Sequence, residues 1–257
     1  MIGYSYDGSF YGFLTCVFYA YAEKEDPAAV VPFGSQPLLI PMRGIPTEND
    51  KAVRVEKGLK RRSEEGYLAV RDGFLCEMPD KERRLLAFIR KLIGKGARAA
   101  LSYADPDTAP LLKALISMRE EGHLLEGFLR FSEHEGVLVS VISPKNQVLP
   151  ILAQHFSVRL PGEKFLIYDA RHKTGFIHTE ERKEFVSIDS LLLPPVGKEE
   201  AAYRAMWRGY FQHIAIPERE NPVCQRTHLS LRYRPWMTEF TEDEPVTMEN
   251  ALLPARA

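Results

Sequence analysis

The sequence predicts an α+β fold, in which an antiparallel sheet of about five strands packs with several helices and the N-terminal half is rich in helix. Between residues 47 and 122, apolar side chains recur every three or four positions, which is the helical period. Between residues 126 and 190, apolar and polar side chains alternate instead, as they do in strands. The two kinds of element are therefore segregated along the chain.

This segregation leads us to expect one domain over residues 1–240. Its parts are a helical subregion at 47–122, the sheet at 126–190, and a C-terminal helix with an arginine-rich segment at 198–240. Residues 239–249 contain five acidic residues and no basic one. We therefore expect 241–257 to be an acidic, weakly ordered tail.

The N-terminal segment predicts one strand followed by one helix. "MIGYSYD" alternates apolar and polar residues, and the helix begins near Phe10, with Asp7 or Ser9 as its N-cap. Residues 27–46 contain five prolines, which exclude a continuous helix. They favour a loop around a short strand at "PLLI".

Four helices are predicted between residues 47 and 122. The first, "KAVRVEKGLKRR", follows a capping pattern at Thr47 and Asp50. Ser63 caps the second, "EEGYLAVRDGFLCEM", and the third is "DKERRLLAFIRKLIGKG". Asp105 and Pro106 are suited to start the fourth.

The sheet region consists of two blocks of strands. "EGFLRFSEHEGVLVSVIS" predicts two strands joined at "EHEG", and "EKFLIYDARHKTGFIHTEERKEFVSID" predicts two or three more. Between the blocks, "NQVLPILAQHFSVRL" has the spacing of a short helix.

The last predicted helix, "KEEAAYRAMWRGYFQHI", ends before Pro217. One of its faces collects large aromatic and apolar residues: Tyr203, Met206, Trp207, Tyr210 and Ile214. We expect this face to dock the helix on the sheet.

Several classes of protein are excluded by composition. No apolar run is long enough for a membrane span, and "MIGYSYDGSF" lacks the pattern of a secretory signal, so we expect a cytoplasmic protein without membrane contact. The three cysteines lie far apart, and the seven histidines show no metal-binding spacing. No glycine-rich nucleotide motif follows a strand. The sequence therefore gives no reason to expect a metal or a cofactor.

The net charge is only −1, but the basic residues are concentrated in three stretches. These are 51–62, 81–98 and 204–234, which together hold 19 of the 34 lysines and arginines. The stretches 51–62 and 81–98 are also compatible with ordinary solvated helix faces. If all three stretches meet on one side of the fold, they would form a surface for a polyanion such as DNA.

The third stretch contains six arginines and no lysine, with aromatic residues between them. Planar guanidinium groups bind phosphate oxygens in pairs, and aromatic rings stack on bases. The predicted nucleic-acid contacts are Arg204, Arg208, Arg219, Arg226, Arg232, Tyr233, Arg234 and Trp236. In the alternative interpretation, these arginines pair with the acidic tail and with Glu199, Glu200 and Glu218.

Candidates for acid–base catalysis are weaker. His155 and Asp169 could approach each other across the sheet, and His228 is a third possibility. A histidine in a helix and an aspartate that starts a turn are also common structural features.

Several segments resemble a bacterial family assigned to DNA metabolism or DNA repair. They are "YDGSFYGFLTCVFYAY", "GFLRF", "ISPKNQVLPILAQHF", "IYDAR" and "WRGYFQHIAIPERENP", with Gln225, His228 and "RY" at 232–233. Members of that family are typically encoded beside a radical-SAM protein similar to spore photoproduct lyase, and a related domain is fused to a uracil-DNA glycosylase. The resemblance implies a role in DNA repair or modification, with the iron–sulfur enzyme as partner.

The resemblance supplies no catalytic residues. The family's Lys-His-Asn-Val reads "KNQV" here, at 145–148, and the glycosylase domain is absent.

Three hypotheses follow for the function. The protein binds DNA and presents it to the partner, it is a DNA-processing enzyme that uses His155, Asp169 or His228, or it is an interaction module whose "WRGYFQHI" face binds the partner protein without DNA.

Overall fold

The computed structural model describes residues 2–35, 39–214, 216, 219 and 221–240. The chain forms two compact units, of which the first is Met1–Met118 and the second begins at Arg119. Compactness does not decide whether each unit folds alone, so the single domain over 1–240 stays a prediction. The expected acidic tail at 241–257 lies outside the described residues.

The first unit contains a small parallel sheet. Strand β1 (Gly3–Tyr6) lies in the middle, between β2 (Val30–Pro32) and β3 (Met42–Gly44), and pairs in parallel with both. The sequence predicts β1 but neither neighbour, because three residues are too few to show alternation. The predicted strand at 37–40 is partly outside the described residues, and Leu39 and Ile40 form a bend.

Helices make up the rest of the first unit. They are α1 (Phe10–Ala22), α2 (Asn49–Arg62), α3 (Glu64–Leu75), α4 (Lys81–Lys95), the short α5 (Ala97–Ala100), and the first half of α6 (Ala109–Phe128). The four predicted helices are therefore present. On α4, Leu85, Leu86, Phe88, Ile89 and Leu92 are buried, whereas Ile93 is 43% exposed.

The helix starts in this unit follow the predicted caps only in part. Ser9 and Ser63 cap α1 and α3 through their hydroxyl oxygens. Thr47 does not cap α2, because its hydroxyl donates to Asp7 instead. The sixth helix begins at Ala109 and not at Pro106, since Asp105 accepts from the Asp107 amide and pairs with Lys91.

The second unit contains the predicted five-stranded sheet. Its strands lie in chain order: β4 (Ser132–His134), β5 (Val137–Ile142), β6 (Phe165–Asp169), β7 (Thr174–His178) and β8 (Lys183–Ser187). All neighbours are antiparallel except β5 and β6, which are parallel because helix α7 (Leu149–Arg159) carries the chain back between them. The α+β class and the mostly antiparallel sheet are confirmed.

Two predictions for the second unit need correction. The sixth helix continues to Phe128, so "EGF" at 126–128 is helical and only β4 and β5 form the first hairpin. The C-terminal helix α8 (Lys198–Ile214) has the predicted bounds, but none of its 17 residues is buried. Its aromatic face is therefore not a seam that docks on the sheet.

The remaining C-terminal elements are short. Helix α9 (Pro222–His228) is capped by Asn221 and is followed by a 3₁₀ segment, Leu231–Trp236, which contacts β5. Among the described helices, none combines the length and the apolar character that crossing a membrane requires.

Candidate functional site

The predicted arginines of the C-terminal segment have different environments. On α8, the Nε atom of Arg204 donates to Glu200 at 2.8 Å, and Arg208 is half-buried. Arg219 and Arg226 are exposed. The guanidinium of Arg234 lies 4.6 Å from the ring centroid of Phe240, and its buried Nε atom has no hydrogen-bond partner among the described residues.

Arg232 and Tyr233 belong to a cluster around the buried Glu121, which is only 4% exposed. The Glu121 carboxylate accepts from Arg232 at 2.6 Å and from the Tyr233 hydroxyl at 2.7 Å. It also accepts from the backbone amides of Lys145 and Asn146, both at 2.8 Å, and from the Asn146 side chain. We call these five residues the Glu121 cluster.

The protonation of the Glu121 cluster follows from these bonds. Burial alone would raise the pKa of Glu121, but the hydrogen bonds from Lys145, Tyr233 and Asn146 outweigh it and hold the pKa below its usual value. Burial, together with the bond to Glu121, raises the pKa of Tyr233. The carboxylate is therefore ionised and the phenol neutral at neutral pH.

Tyr233 cannot act as the predicted stacking residue in this arrangement, because it is 3% exposed and bound to Glu121. Trp236 is half-buried and lines a small cavity with Tyr233 and Met237. The alternative interpretation, in which these arginines pair with the acidic tail and with Glu199, Glu200 and Glu218, agrees with the ion pair between Arg204 and Glu200. Arg232 also joins the C-terminal segment to the rest of the second unit. Its partner is Glu121, which the sequence did not single out.

A different surface of the second unit brings arginines and exposed aromatic rings together. An open cavity of about 490 Å³ is lined by the end of α6 and by α8. Its polar and aromatic lining residues are Arg130, Phe131, Glu200, Tyr203, Arg204, Trp207 and Thr238. A second cavity, of about 710 Å³, shares Gly127, Arg130 and Phe131 with the first and extends along α7 to His155 and Arg159. We call the two together the Arg130 groove.

Arg130 lies where the two cavities meet. Its Nε and Nη2 atoms donate to the two oxygens of Glu239 at 3.2 and 2.7 Å, while Nη1 donates to the carbonyls of Gly127 and Leu129. The Arg130 side chain is 23% exposed, whereas that of Glu239 is 2% exposed. Glu239 therefore fixes the guanidinium from beneath and leaves part of it open to the groove.

Trp207 forms the aromatic wall of the groove. The Arg130 guanidinium lies 5.6 Å from its ring centroid, which is the geometry of a cation–π contact. Trp207 also stacks on Tyr210, with ring centroids 5.5 Å apart and planes inclined by 20°. These contacts hold the indole in place although it is 39% exposed.

The α7 end of the groove contains two histidines that share one carboxylate. The Nδ1 atoms of His123 and His155 lie 3.2 and 3.8 Å from Glu126. Arg159 is exposed and makes no ion pair with any residue that the structure describes. Over the described part of the chain, no three His, Cys, Asp or Glu side chains are grouped so that they could hold a metal ion.

The structure does not bring the catalytic candidates together. Asp169 is buried and binds the side chain of His172 at 2.6 Å and the amides of Arg171 and His172, so its bonds shape the β6–β7 turn. The expected pairing of Asp169 with His155 does not occur, since the neighbour of His155 is Glu126. His228 is exposed at the end of α9.

Sequence reasoning missed the Arg130 groove for two reasons. Arg130 lies within "GFLRF", which reads as a strand, and the spacing of Trp207 places it on a helix face that the sequence predicts to be buried. The sequence contains one signal for the groove, which is that Arg130 comes two residues after the end of the long helical pattern of α6.

A family model for a domain of unknown function, DUF4130, matches residues 79–239, which is more than half of the chain. The chain belongs to this family. The matched region contains every residue named in the Arg130 groove and in the Glu121 cluster, whereas β1, α1 and α2 precede it. A search of curated proteins finds no match.

Proposed function

We propose that this DUF4130 protein binds DNA in the Arg130 groove. The observation that carries the proposal is the Arg130 guanidinium beside the partly exposed indole of Trp207, with Arg204 in the lining of the same cavity. Guanidinium groups bind phosphates, and an exposed indole stacks on a base of any identity. Trp207 thereby takes the stacking role that the sequence suggested for Tyr233 or Trp236.

The groove favours unstacked or single-stranded DNA over an intact duplex. Stacking on Trp207 requires a base whose face is free, and the bases in a duplex already stack on one another. Arg159 at one end and Arg204 at the other would then neutralise phosphates on either side of the stacked base. Arg208, Arg219 and Arg226 are further phosphate contacts under this proposal.

The biological setting of the proposal comes from the family resemblance described above. Under that resemblance, the protein acts in DNA repair or modification in the cytoplasm, beside a radical-SAM iron–sulfur enzyme. The groove would hold a strand with an accessible base, and the partner would carry out the chemistry. A binding role of this kind needs no catalytic residue in this chain.

The binding proposal is tested by fluorescence anisotropy with a labelled single-stranded oligonucleotide at low ionic strength. We expect Trp207→Ala to weaken binding about 5- to 150-fold, since one base–aromatic stack contributes about 1–3 kcal/mol. Arg204→Gln should also weaken binding. The matched control is Arg182→Gln, because Arg182 is an exposed arginine of the same unit that pairs with Glu184 and lines neither cavity.

Binding that is absent at low ionic strength would contradict the proposal, as would equal affinities for the parent, Trp207→Ala and Arg182→Gln. A duplex bound as tightly as the single strand would remove the stacking role of Trp207.

An interaction module is the second candidate, and the exposed face of α8 favours it. Met206, Tyr210 and Ile214 are 67%, 56% and 58% exposed, although large apolar residues are commonly buried. Co-purification with the radical-SAM protein, surviving nuclease treatment and lost in Met206→Glu, would support this function. If the same protein also failed to bind DNA, the module would replace the DNA-binding proposal.

A further inference from the structure

The first unit has a cavity of its own, of about 630 Å³, between three helices. Phe18 and Tyr21 of α1 form one wall, Arg54, Gly58 and Arg62 of α2 form another, and Ile93 of α4 closes the end. Cavities of this size commonly hold small molecules. None of these residues belongs to the Arg130 groove.

Gly58 is the unusual feature of the cavity. It lies inside the 14-residue helix α2, where glycine is less favourable than alanine by about 1 kcal/mol. Close packing does not explain it, because a Cβ atom at this position would meet no other atom within 4 Å. A side chain here would instead project into the cavity that Gly58 lines. The glycine therefore keeps the cavity open at a cost to the helix.

Two arginines flank this gap on the same helix face. Arg54 and Arg62 lie four residues before and after Gly58, so all three line one face of α2. Arg54 is exposed, makes no ion pair with any described residue, and has its guanidinium 5.8 Å from the ring centroid of Phe18. The Nε atom of Arg62 donates to the carbonyl of Leu92 at 3.2 Å, which ties this arginine to the end of α4.

The opposite wall supplies aromatic surface. Phe18 is half-buried and Tyr21 is 41% exposed, and burial raises the pKa of the Tyr21 hydroxyl, so this wall carries no negative charge. Glu56, a carboxylate on α2, is bound to Lys60, Tyr11 and Tyr67 and does not line the cavity. The cavity thus combines an apolar, aromatic floor with a cationic rim.

We propose that this cavity binds a nucleotide. The base would lie over Gly58 against Phe18 and Tyr21, and the phosphates would meet Arg54 and Arg62. An acidic peptide would satisfy the arginines, but it would require neither the aromatic wall nor the gap at Gly58. The nucleotide is either free or part of a single strand, because both present a base beside a phosphate. The inference goes beyond the proposed function, since it concerns a second site in the other unit.

The test is isothermal titration of the full chain with ATP, adenosine and inorganic tripolyphosphate, followed by a five-nucleotide single strand. Because the Arg130 groove is itself proposed to bind DNA, the strand is titrated into a variant with Arg130→Gln, Arg159→Gln and Arg204→Gln. We expect ATP to bind at least tenfold more tightly than adenosine or tripolyphosphate. If the strand binds to this triple variant, the ligand of the cavity is a nucleotide within DNA. If ATP binds and the strand does not, the ligand is a free nucleotide.

Gly58→Leu fills the gap and should lower the ATP affinity at least tenfold. Its matched control is Gly94→Leu, because Gly94 is also helical, is exposed, has open space at its Cβ position and lies outside the cavity. A second pair, Arg54→Gln and Arg61→Gln on the same helix, tests the charge without filling the cavity, and only Arg54→Gln should weaken binding.

The inference is overturned if neither ATP nor the strand gives a binding signal, or if tripolyphosphate binds as tightly as ATP. It also fails if Gly58→Leu and Gly94→Leu bind ATP equally. Each of these results leaves DNA binding by the Arg130 groove untouched, because that is measured with separate variants.

Discussion

Glu121 shows how one buried charge can organise a long stretch of chain. Its carboxylate joins α6 to the loop at Lys145 and Asn146 and to the 3₁₀ segment at Arg232 and Tyr233. A buried carboxylate is tolerated only when its oxygens are satisfied, and here five donors surround it. Removing the acceptor would leave the buried Tyr233 phenol and the buried donors of Asn146 without their bonds.

Glu121→Ala should lower the free energy of unfolding by about 3 kcal/mol or more, because three buried donors, from Asn146 and Tyr233, each lose their acceptor at a cost of about 1–3 kcal/mol. Chemical denaturation followed by circular dichroism measures this loss. Glu120→Ala is the control, since Glu120 is an exposed neighbour on the same helix and should change stability by less than about 0.5 kcal/mol. Similar values for the two variants would show that the Glu121 cluster does not stabilise the fold.

The Glu121 cluster should also make the free energy of unfolding depend on pH in the acidic range. The pKa of Glu121 is lower in the folded protein than in the unfolded chain, so its contribution is fully present above the unfolded pKa, about 4.3. The contribution is lost as the pH falls through the folded pKa.

The measurement is the difference in unfolding free energy between the parent and Glu121→Gln, taken from pH 7 down to pH 3. We expect the difference to be constant above about pH 5 and to shrink below about pH 4.3. The other carboxylates titrate in both proteins and cancel. A difference that stays constant over the whole range would contradict the assignment.

At the scale of elements, the hydrophobic pattern of the sequence predicted those helices and turns that depend on residues close together in the chain. The helices α1 to α4, α7 and α8 follow from hydrophobic spacing, and the hairpin turns follow from alternation that breaks at short polar segments. The strands β2 and β3 could not be predicted, because each has three residues and pairs with β1 only after a long loop.

The environment of α8 shows the second limit of sequence reasoning. Its spacing correctly groups Tyr203, Trp207 and Tyr210, but spacing does not say what covers a face. In the described structure this face is exposed, and Trp207 lies against Arg130 from a distant part of the chain. The candidate site depends on that long-range contact, so the segment could be predicted and the groove could not.

The chain has only two tryptophans, which makes Trp207 a direct reporter of the groove. In Trp236→Phe the remaining indole is Trp207, and we expect single-stranded DNA to quench its fluorescence as a base stacks on it. In Trp207→Phe the half-buried Trp236 should respond little. Quenching confined to Trp236, or no quenching under conditions where DNA binds, would contradict the stacking role.

At the scale of the whole molecule, the net charge is close to zero and many charged residues pair with oppositely charged neighbours. The net charge of −1 provides no general attraction to a polyanion, and several basic residues of α2 and α4 pair with acids within the first unit, among them Lys51, Lys60, Arg90 and Lys91. DNA binding must therefore come from a few guanidinium groups in a defined groove. DNA binding by the Arg130 groove therefore has a calculable salt dependence, because each neutralised phosphate adds a fixed amount to the slope of log affinity against log salt concentration.

The most direct test of DNA binding by the Arg130 groove is the salt dependence of affinity for a single strand, with and without Arg130, Arg159 and Arg204. For single strands, the slope of log affinity against log salt concentration is about −0.7 per neutralised phosphate. We predict that the triple substitution to glutamine makes the slope shallower by about 2, which corresponds to three lost contacts. Equal slopes for the parent and the triple variant would show that the groove does not bind the phosphates of DNA.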